Sequence, residues 1–242
     1  MADNTTLKDG LAGTYVLRAK DVSLAQDSSI RRSLVLSTPY PIDYGVGGCY
    51  HHTSKSGVMA AGLSANSPIF AFRNPSGSLL SILRRVRIDG WTDTVGFPPL
   101  GDWSSPAEGG GIITFNMYIA RAFVVQDTGG TATTLTGDEA SLRSSMATAS
   151  CAIQHSTTAT LTAGTRTKDV GTIESVSVGS PTSPFTKFWQ TPVRLYEHTP
   201  GEYPMVFAQF EGFVIEATVP ATGTWHWQIT PEWDEVPLAQ HG

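Results

Sequence analysis

The sequence is poor in charge, and lysine is especially scarce. Charged residues make up 15% of its 242 residues, against roughly 25% in ordinary soluble domains. Only five of the 16 basic residues are lysine, a side chain depleted from interface centres, whereas arginine is enriched there. A surface with so few charges and so much Ser, Thr and Gly is typical of a protein whose surface contacts other proteins.

The chain also lacks the features of several functional classes. Its formal net charge is −5, which argues against a general nucleic-acid binder because such proteins need a basic face. No segment approaches the roughly 18 apolar residues of a membrane span. The first residues, MADNTTLKDGLAGTY, have neither the basic start nor the apolar core of a secretory signal. We therefore expect a protein made in a cytoplasm, with no nucleic-acid and no membrane partner.

Catalytic signatures are missing as well. The sequence contains no G-x-S-x-G, no H-E-x-x-H, no P-loop and no Rossmann glycine pattern. Each of these motifs needs its spacing to place ligands or amide groups on one reacting centre. We therefore predict that the protein is not an enzyme and binds no cofactor.

Cys49 and Cys151 are the only cysteines. Two cysteines make no disulfide framework, and neither has a second cysteine near enough for a zinc pair. We expect two unjoined thiols in a reducing compartment, with a single bridge as the alternative. His51 and His52 follow closely and could bind one ion only from a loop, because adjacent strand residues point to opposite faces. A second pair of ligands is missing, so we predict a polar surface loop and no metal.

Alternating apolar and polar residues predict β-strands. The clearest example is Ile112–Phe123, which we expect to run through the middle of a sheet. Its apolar face is predicted to contain Ile113, Phe115, Met117, Ile119 and Phe123. Phe213–Val219 and Trp225–Ile229 alternate in the same way. Val170–Val178 is predicted to be another strand, and weaker strand patterns are Cys151–His155 and Ala159–Leu161.

Two turn sequences between strand patterns predict β-hairpins. Asn74–Gly77 is Asn-Pro-Ser-Gly, in which proline suits a type I turn and glycine suits the left-handed conformation that follows. Pro220–Gly223 is Pro-Ala-Thr-Gly and separates the two C-terminal strands. After Asn74–Gly77, the alternation predicts one face with Leu80, Ile82, Val86 and Ile88 around Arg84, and another with Ser81, Arg85 and Arg87.

Short strands, frequent turn residues and almost no helical period predict an all-β fold. We expect an antiparallel β-sandwich, jelly-roll-like, with long loops. Residues 1–33 are polar with few periodic positions, which predicts an extended N-terminal arm before a sandwich domain at 34–242. A stretch rich in Thr, Ser, Ala and Gly at 127–167 is a candidate internal division. Within it, Thr136–Met146 is predicted to form one short helix.

Asp89–Gly111 is predicted to be a long loop, a type that inside compact domains is usually functional or docked. Trp91 and Trp103 lie in it with three carboxylates, those of Asp93, Asp102 and Glu108. Carboxylates beside exposed aromatic rings suit sugar binding, and a glycosidase needs two of them. The alternative is that the tryptophans anchor the loop on the protein or on a neighbouring subunit. We favour this alternative and predict that Trp91 and Trp103 are inter-subunit contacts.

Arg85 and Arg87 lie two residues apart, so on a strand they share one face and form a modest basic spot. Such a spot suits phosphate or acidic side chains. Because the total charge is negative, we expect these arginines to form salt bridges between subunits rather than nucleic-acid contacts.

Two stretches resemble structural proteins of tailed bacteriophages. They are Gly62–Ile88, GLSANSPIFAFRNPSGSLLSILRRVRI, and Gly212–Val236, GFVIEATVPATGTWHWQITPEWDEV. The proteins they resemble are β-sandwich components of the virion, either head decoration proteins or minor proteins of the tail and its fibres. The resemblance implies a structural role and implies no catalytic or cofactor residue.

We therefore expect a virion structural protein, first of all a capsid decoration or cement protein, located in the virion after synthesis in the host cytoplasm. Its expected partners are copies of itself and other virion proteins, in particular the major capsid protein. Closed cyclic symmetry is expected, because identical subunits that associate without closure form fibres. Two alternatives stay open: a tail or tail-fibre receptor-binding component, and a carbohydrate-binding module or glycan hydrolase on the same sandwich.

Overall fold

The computed structural model describes residues 4–8, 14–18, 48–60, 62–63, 66–92, 112–133, 135, 147–179, 193–199, 202–221 and 223–238. The chain divides into two compact units, Met1–Pro41 and Ile42–Gly242. In the first unit, β1 (Asn4–Lys8) pairs antiparallel with β2 (Thr14–Arg18). The described part of the predicted N-terminal arm is therefore an antiparallel strand pair.

The described residues of the second unit form two sheets of seven strands each, and the strand pairs among them are antiparallel. The first sheet is β3 (Gly48–His51), β4 (Ser54–Lys55), β5 (Met59–Ala60), β7 (Leu79–Thr92), β13 (Val193–Glu197), β14 (Met205–Phe207) and β16 (Thr224–Pro237). The second is β6 (Ser67–Asn74), β8 (Ile112–Arg121), β9 (Thr131–Thr133), β10 (Ala152–His155), β11 (Thr167–Lys168), β12 (Glu174–Gly179) and β15 (Glu211–Thr218). The predicted all-β antiparallel sandwich is confirmed, and its jelly-roll connectivity stays a prediction.

Aromatic side chains from both sheets fill the core between them. Trp225, Trp227 and Trp233 point inward from β16 and are buried. From the second sheet, Phe72 stacks on Phe213 at 5.1 Å and meets Trp233 edge-on at 5.2 Å between ring centroids. Burying one large apolar side chain stabilises the fold by about 2–3 kcal/mol, so these rings account for much of the attraction between the sheets.

The alternation predicted for the long strands is largely confirmed. β15 and β16 turn their predicted apolar faces into the core, and β8 is paired on both sides, as expected of a strand inside a sheet. Phe123 was predicted wrongly. β8 ends at Arg121, and Ala122 adopts a positive φ of 47°, so the chain turns and Phe123 packs against Val214 on the opposite face of the second sheet.

The remaining strand predictions had mixed outcomes. Cys151–His155 corresponds to β10, whereas only the second half of Val170–Val178 is a strand, as β12. Ala159–Leu161 is not a strand; Leu161 is instead buried in the hydrophobic cluster on the outside of the second sheet. Within the 127–167 stretch, β9 pairs with β10 and β10 pairs with β6, so both belong to the second sheet.

Neither predicted hairpin forms, although all four of their strands exist. β6 and β7 flank Asn74–Gly77 but belong to different sheets, and so do β15 and β16 on either side of Pro220–Gly223. Each of these turns therefore connects the two layers. A connection of this kind places the apolar faces of consecutive strands opposite each other across the sandwich, which buries both of them.

The turn after β6 is also built differently from the prediction. Gly77 does not adopt a left-handed conformation. The side chain of Asn74 accepts a hydrogen bond from the Ser76 amide at 3.0 Å, and the Ser76 hydroxyl accepts one from the Leu79 amide at 3.1 Å. Side-chain acceptors therefore close this turn. Gly223, in the second turn, does have a positive φ of 112°.

A β-bulge at Arg84 changes the predicted faces of β7. The register with β16 shifts between the Glu232–Arg85 pair and the Trp233–Leu83 pair, which leaves Arg84 as the extra residue. Before the bulge, odd-numbered side chains such as Leu83 point into the core. After the bulge, even-numbered side chains such as Val86 and Ile88 point into the core. Ile82, predicted to face the core with Val86 and Ile88, is therefore on the outer face of the sheet.

Several predictions fall outside the described residues. These are Trp103, the carboxylates of Asp93, Asp102 and Glu108, the Thr136–Met146 helix, and most of the 1–33 segment. The Asp89–Gly111 loop prediction is wrong at its start, because β7 continues through Trp91 to Thr92 with β16 as its partner.

Candidate binding surfaces

The outward-facing side chains of β7 and β16 form a polar strip with one aromatic end, here called the β7–β16 face. From β7 it contains Trp91, Asp89, Arg87 and Arg85, and from β16 it contains His226, Gln228, Thr230 and Glu232. Their neighbours in sequence, such as Trp227 and Ile229, are buried in the core. Since side chains alternate along a strand, the strip points away from the core.

Trp91 forms the aromatic end of this face. Its ring lies 5.4 Å from the ring of His226, its partner on the adjacent strand, and the two planes differ by 14°. The side chain is nevertheless 41% exposed. Trp91 is thus an exposed aromatic group on a rigid sheet, and not on a loop as the sequence suggested.

A shallow depression of about 100 Å³ lies next to this stacked pair, lined by Thr53, Arg87, Ile88, Asp89, Gln228 and Thr230. Burial raises the pKa of the Asp89 carboxyl above its usual value. The hydroxyls of Thr53 and Thr230 are 3.0 Å apart, and the buried Nε of Arg87 has no acceptor among the described residues. The depression therefore presents the Asp89 carboxyl and the Gln228 amide next to the stacked rings.

Arg85 and Arg87 share one carboxylate inside the chain. Nη2 of Arg85 donates to both oxygens of Glu232 at 2.8 Å, and Nη2 of Arg87 donates to one of them at 3.0 Å. The alternation of side chains correctly placed both arginines on one face. It did not predict their contact with Glu232, because that contact depends on the register between β7 and β16, which are far apart in the sequence. Their predicted role in salt bridges between subunits stays a prediction, and this partner already satisfies part of their charge.

The two thiols lie on opposite faces of the first sheet and are not joined. Cys49 is paired with Asp234 on the outer side, and Cys151 contacts the inward hydroxyl of Ser81 at 3.0 Å. Burial, together with the neighbouring Asp234 carboxylate, raises the pKa of Cys49 to about 12. Burial also raises the pKa of Cys151 well above its usual value. Both thiols are therefore protonated near neutral pH and are weak nucleophiles.

A buried carboxylate, missed by the sequence analysis, ties a loop to the first sheet. Glu235 is fully buried, and its oxygens accept hydrogen bonds from the amides of Ser150 at 2.9 Å and Cys151 at 3.2 Å, and from Nε1 of Trp233 at 3.1 Å. Three donors on one anion offset the cost of removing its charge from water. The only sign of this buried carboxylate in the sequence is an acidic residue within an otherwise apolar strand pattern.

The outer face of the second sheet is covered by two chain segments, residues 122–128 and 160–168. Phe123 and Leu161 from these segments pack on Tyr118 and Val214 of the sheet. Two ion pairs, Asp127 with Arg166 and Lys168 with Glu216, fasten the same segments. The Asp127 and Arg166 side chains are almost completely buried. The outer face of the second sheet is thus covered by these segments, whereas the first sheet presents the polar side chains of the β7–β16 face.

Three exposed valines lie on the segments that follow β8 and β11 and are here called the valine patch. Val124 is 45% exposed, Val125 52% and Val170 101%. They lie close in the chain to Arg121 and Asp169, which bind each other at 3.1 Å and so bring the two segments together. The exposed valines therefore offer apolar area for contact with another protein.

No metal centre is evident in the described part of the chain. No group of three or more His, Cys, Asp and Glu side chains with a suitable arrangement occurs among those residues. His51 points outward from β3 opposite Glu232, and His52 follows the end of that strand. The structure therefore places the two histidines at a strand end. No described helix is long and apolar enough to cross a membrane.

Comparison with protein-family models, with curated proteins and with solved structures finds no match to this chain. Function must therefore be argued from the surfaces themselves.

Proposed function

We propose that the protein is a structural component of a bacteriophage particle, of the capsid decoration or cement type. It acts by binding the major capsid protein and copies of itself. The observation that supports this proposal best is the valine patch. Three valines are exposed on the segments beside the second sheet, and apolar area of this kind gains free energy once a partner covers it.

The ionisable groups of the described residues support a binding role over a catalytic one. Glu235 and the Asp127–Arg166 pair fasten loops to the sheets, and Arg85 and Arg87 are held by Glu232. Both thiols are protonated near neutral pH because their pKa values are raised. These groups stabilise the sandwich and leave its exposed apolar groups for contacts.

The expected contribution of the valine patch to binding affinity follows from the apolar surface area that a partner would cover. Burying a fully exposed valine side chain contributes roughly 1.5 kcal/mol. Val124 and Val125 are about half exposed and Val170 is fully exposed, so covering all three contributes about 3 kcal/mol, a factor of about 100 in affinity. Aspartate at Val124 and Val125 would place two charges in such an interface. Because both side chains are already exposed, the substitutions should leave the sandwich folded.

The test is binding of the purified protein to phage capsids assembled without it, measured by co-sedimentation. We expect wild-type protein to saturate the particles and the Val124→Asp, Val125→Asp variant to bind at least a hundredfold more weakly. Val58→Asp is the matched control, because Val58 is 47% exposed beside the first sheet. Equal binding by wild type and the double variant would contradict the proposal. Immuno-electron microscopy of whole virions would distinguish the head position from the tail alternative.

A further inference from the structure

We propose that the β7–β16 face binds a neutral polysaccharide chain, with Trp91 as the stacking platform and the Asp89–Gln228 depression as the hydrogen-bonding site. The proposal goes beyond the structural role and does not depend on it. The residues involved lie on the outer face of the first sheet, whereas the valine patch lies on segments that connect strands of the second.

The platform is the stacked pair of Trp91 and His226. The sheet fixes both backbones, and the parallel contact of the rings at 5.4 Å restricts the rotation of the Trp91 side chain. A fixed aromatic ring loses little conformational entropy when a ligand covers it. The apolar C–H face of a pyranose ring packs well on such a surface, and Trp91 is 41% exposed to receive it.

The polar groups beside the platform match the hydroxyls of a sugar. Asp89 and Gln228 are paired in register two residues further along the two strands, so they lie next to the stacked rings on the same face. A carboxyl accepts hydrogen bonds, and an amide both donates and accepts them. Thr230 and Arg87 form the wall of the depression further along, where the Thr230 hydroxyl bonds that of Thr53 at 3.0 Å.

The charges of the face favour a neutral ligand. Arg85 and Arg87 share the carboxylate of Glu232, and Asp89 is a second acidic side chain on the same face, so the acidic and basic groups of the face are equal in number. Asp89, which lies two residues from Trp91 on the same face of β7, would repel a sulfate or carboxylate on a sugar. The absence of a concentrated charge of either sign leaves stacking and hydroxyl contacts as the source of affinity.

The shape of the face favours a chain over a single sugar. Residues two apart on a strand are separated by about 6.7 Å, so Trp91, Asp89 and Arg87 extend over about 13 Å. This length exceeds one pyranose ring, and the depression itself is shallow. Affinity should therefore rise with the number of linked sugars.

This site differs from the one suggested by the sequence. That hypothesis combined Trp91 and Trp103 with loop carboxylates at Asp93, Asp102 and Glu108, whereas the present site needs only described residues of two paired strands. It requires one carboxyl rather than a catalytic pair, so it predicts binding without hydrolysis.

Affinity electrophoresis of the full-length protein tests the proposal. The gels would contain hydroxyethyl cellulose, galactomannan or dextran as neutral probes, and polygalacturonate or heparin as acidic ones. We expect at least one neutral polysaccharide to retard the wild type and none of the acidic ones to do so. The oligosaccharide series from two to six sugars, measured by calorimetry, should show affinity rising with length.

Variants link the binding to the proposed residues. Trp91→Ala should weaken binding at least tenfold, Trp91→Phe less, and Asp89→Asn and Gln228→Ala several-fold each. Tyr203→Ala is the matched control, because Tyr203 is a fully exposed aromatic residue outside this face and should bind as wild type does. The Val124→Asp, Val125→Asp variant should also bind sugar normally, which separates this proposal from the structural role.

Three results would overturn the inference. They are a lack of retardation by every neutral polysaccharide, retardation by acidic polysaccharides alone, and neutral binding that survives Trp91→Ala. Loss of capsid binding in Trp91→Ala, without any sugar binding by the wild type, would instead assign the face to subunit contacts.

Discussion

The indole Nε1 of Trp233 donates a hydrogen bond to the carboxylate of Glu235 at 3.1 Å, between two buried side chains on the same face of β16. The same carboxylate accepts the amides of Ser150 and Cys151. One acidic side chain thus connects the C-terminal strand of the sandwich with the segment that enters β10. Its burial is tolerable because each donor stabilises the charged form.

Replacing Glu235 by alanine should lower the free energy of unfolding by about 3 kcal/mol, because three buried donors lose their acceptor. Urea denaturation followed by tryptophan fluorescence measures this change. Glu197→Ala is the matched control: Glu197 pairs with Arg194 at the surface, and such pairs contribute less than about 1 kcal/mol. A loss no larger for Glu235→Ala than for Glu197→Ala would show that Glu235 does not hold the loop.

The Asp127–Arg166 ion pair gives a second stability prediction. Asp127→Ala leaves the almost completely buried Arg166 guanidinium without its carboxylate and also removes the acceptor of the Gly164 amide. Breaking one side of a buried pair costs about 3–5 kcal/mol. The double variant Asp127→Ala, Arg166→Met should lose less, because no uncompensated charge remains. Thermal and urea unfolding of the wild type and both variants measures these losses. A single variant more stable than the double variant would refute the argument.

His155 should make the fold less stable in mild acid. Burial, together with the nearby His52, lowers the pKa of His155 below its unfolded value of 6.5. Between the native and the unfolded pKa of His155, the unfolded chain binds a proton that the native imidazole does not. The contribution of His155 to the free energy of unfolding is therefore complete above pH 6.5, and it decreases as the pH falls below that value towards the native pKa. The urea midpoint should therefore fall less from pH 7.5 to 5.5 in His155→Gln than in wild type. An identical fall in both proteins would exclude this contribution.

The raised pKa values of the cysteines predict slow thiol chemistry. At pH 8 a thiol with a pKa near 12 should react roughly a thousandfold more slowly than an ordinary cysteine, because the thiolate is the reactive form. Asp234→Asn should speed up the reaction of Cys49, since the Asp234 carboxylate helps to raise its pKa. Labelling with a disulfide reagent measures both rates, and protein unfolded in urea provides the control in which both thiols react quickly. Rapid labelling of the native wild type would contradict the prediction.

The sequence by itself determined the local structure. β8, β15 and β16 were predicted with the correct inward faces, because side chains alternate along any strand and the apolar ones must leave water. The prediction that Phe123 faces the core was wrong for a local reason. Ala122 has a positive φ, and a pattern of alternating apolar residues gives no information on φ.

Only the tertiary structure decided which strands are neighbours. A four-residue turn such as Asn74–Gly77 fits both a hairpin and a connection between layers, and burial of two apolar faces against each other chose the second. The register of β7 with β16, including the bulge at Arg84, then brought Glu232 to Arg85 and His226 to Trp91. Both candidate surfaces are built from residues far apart in the chain, because pairing between strands is a long-range contact that depends on the packing of the whole core.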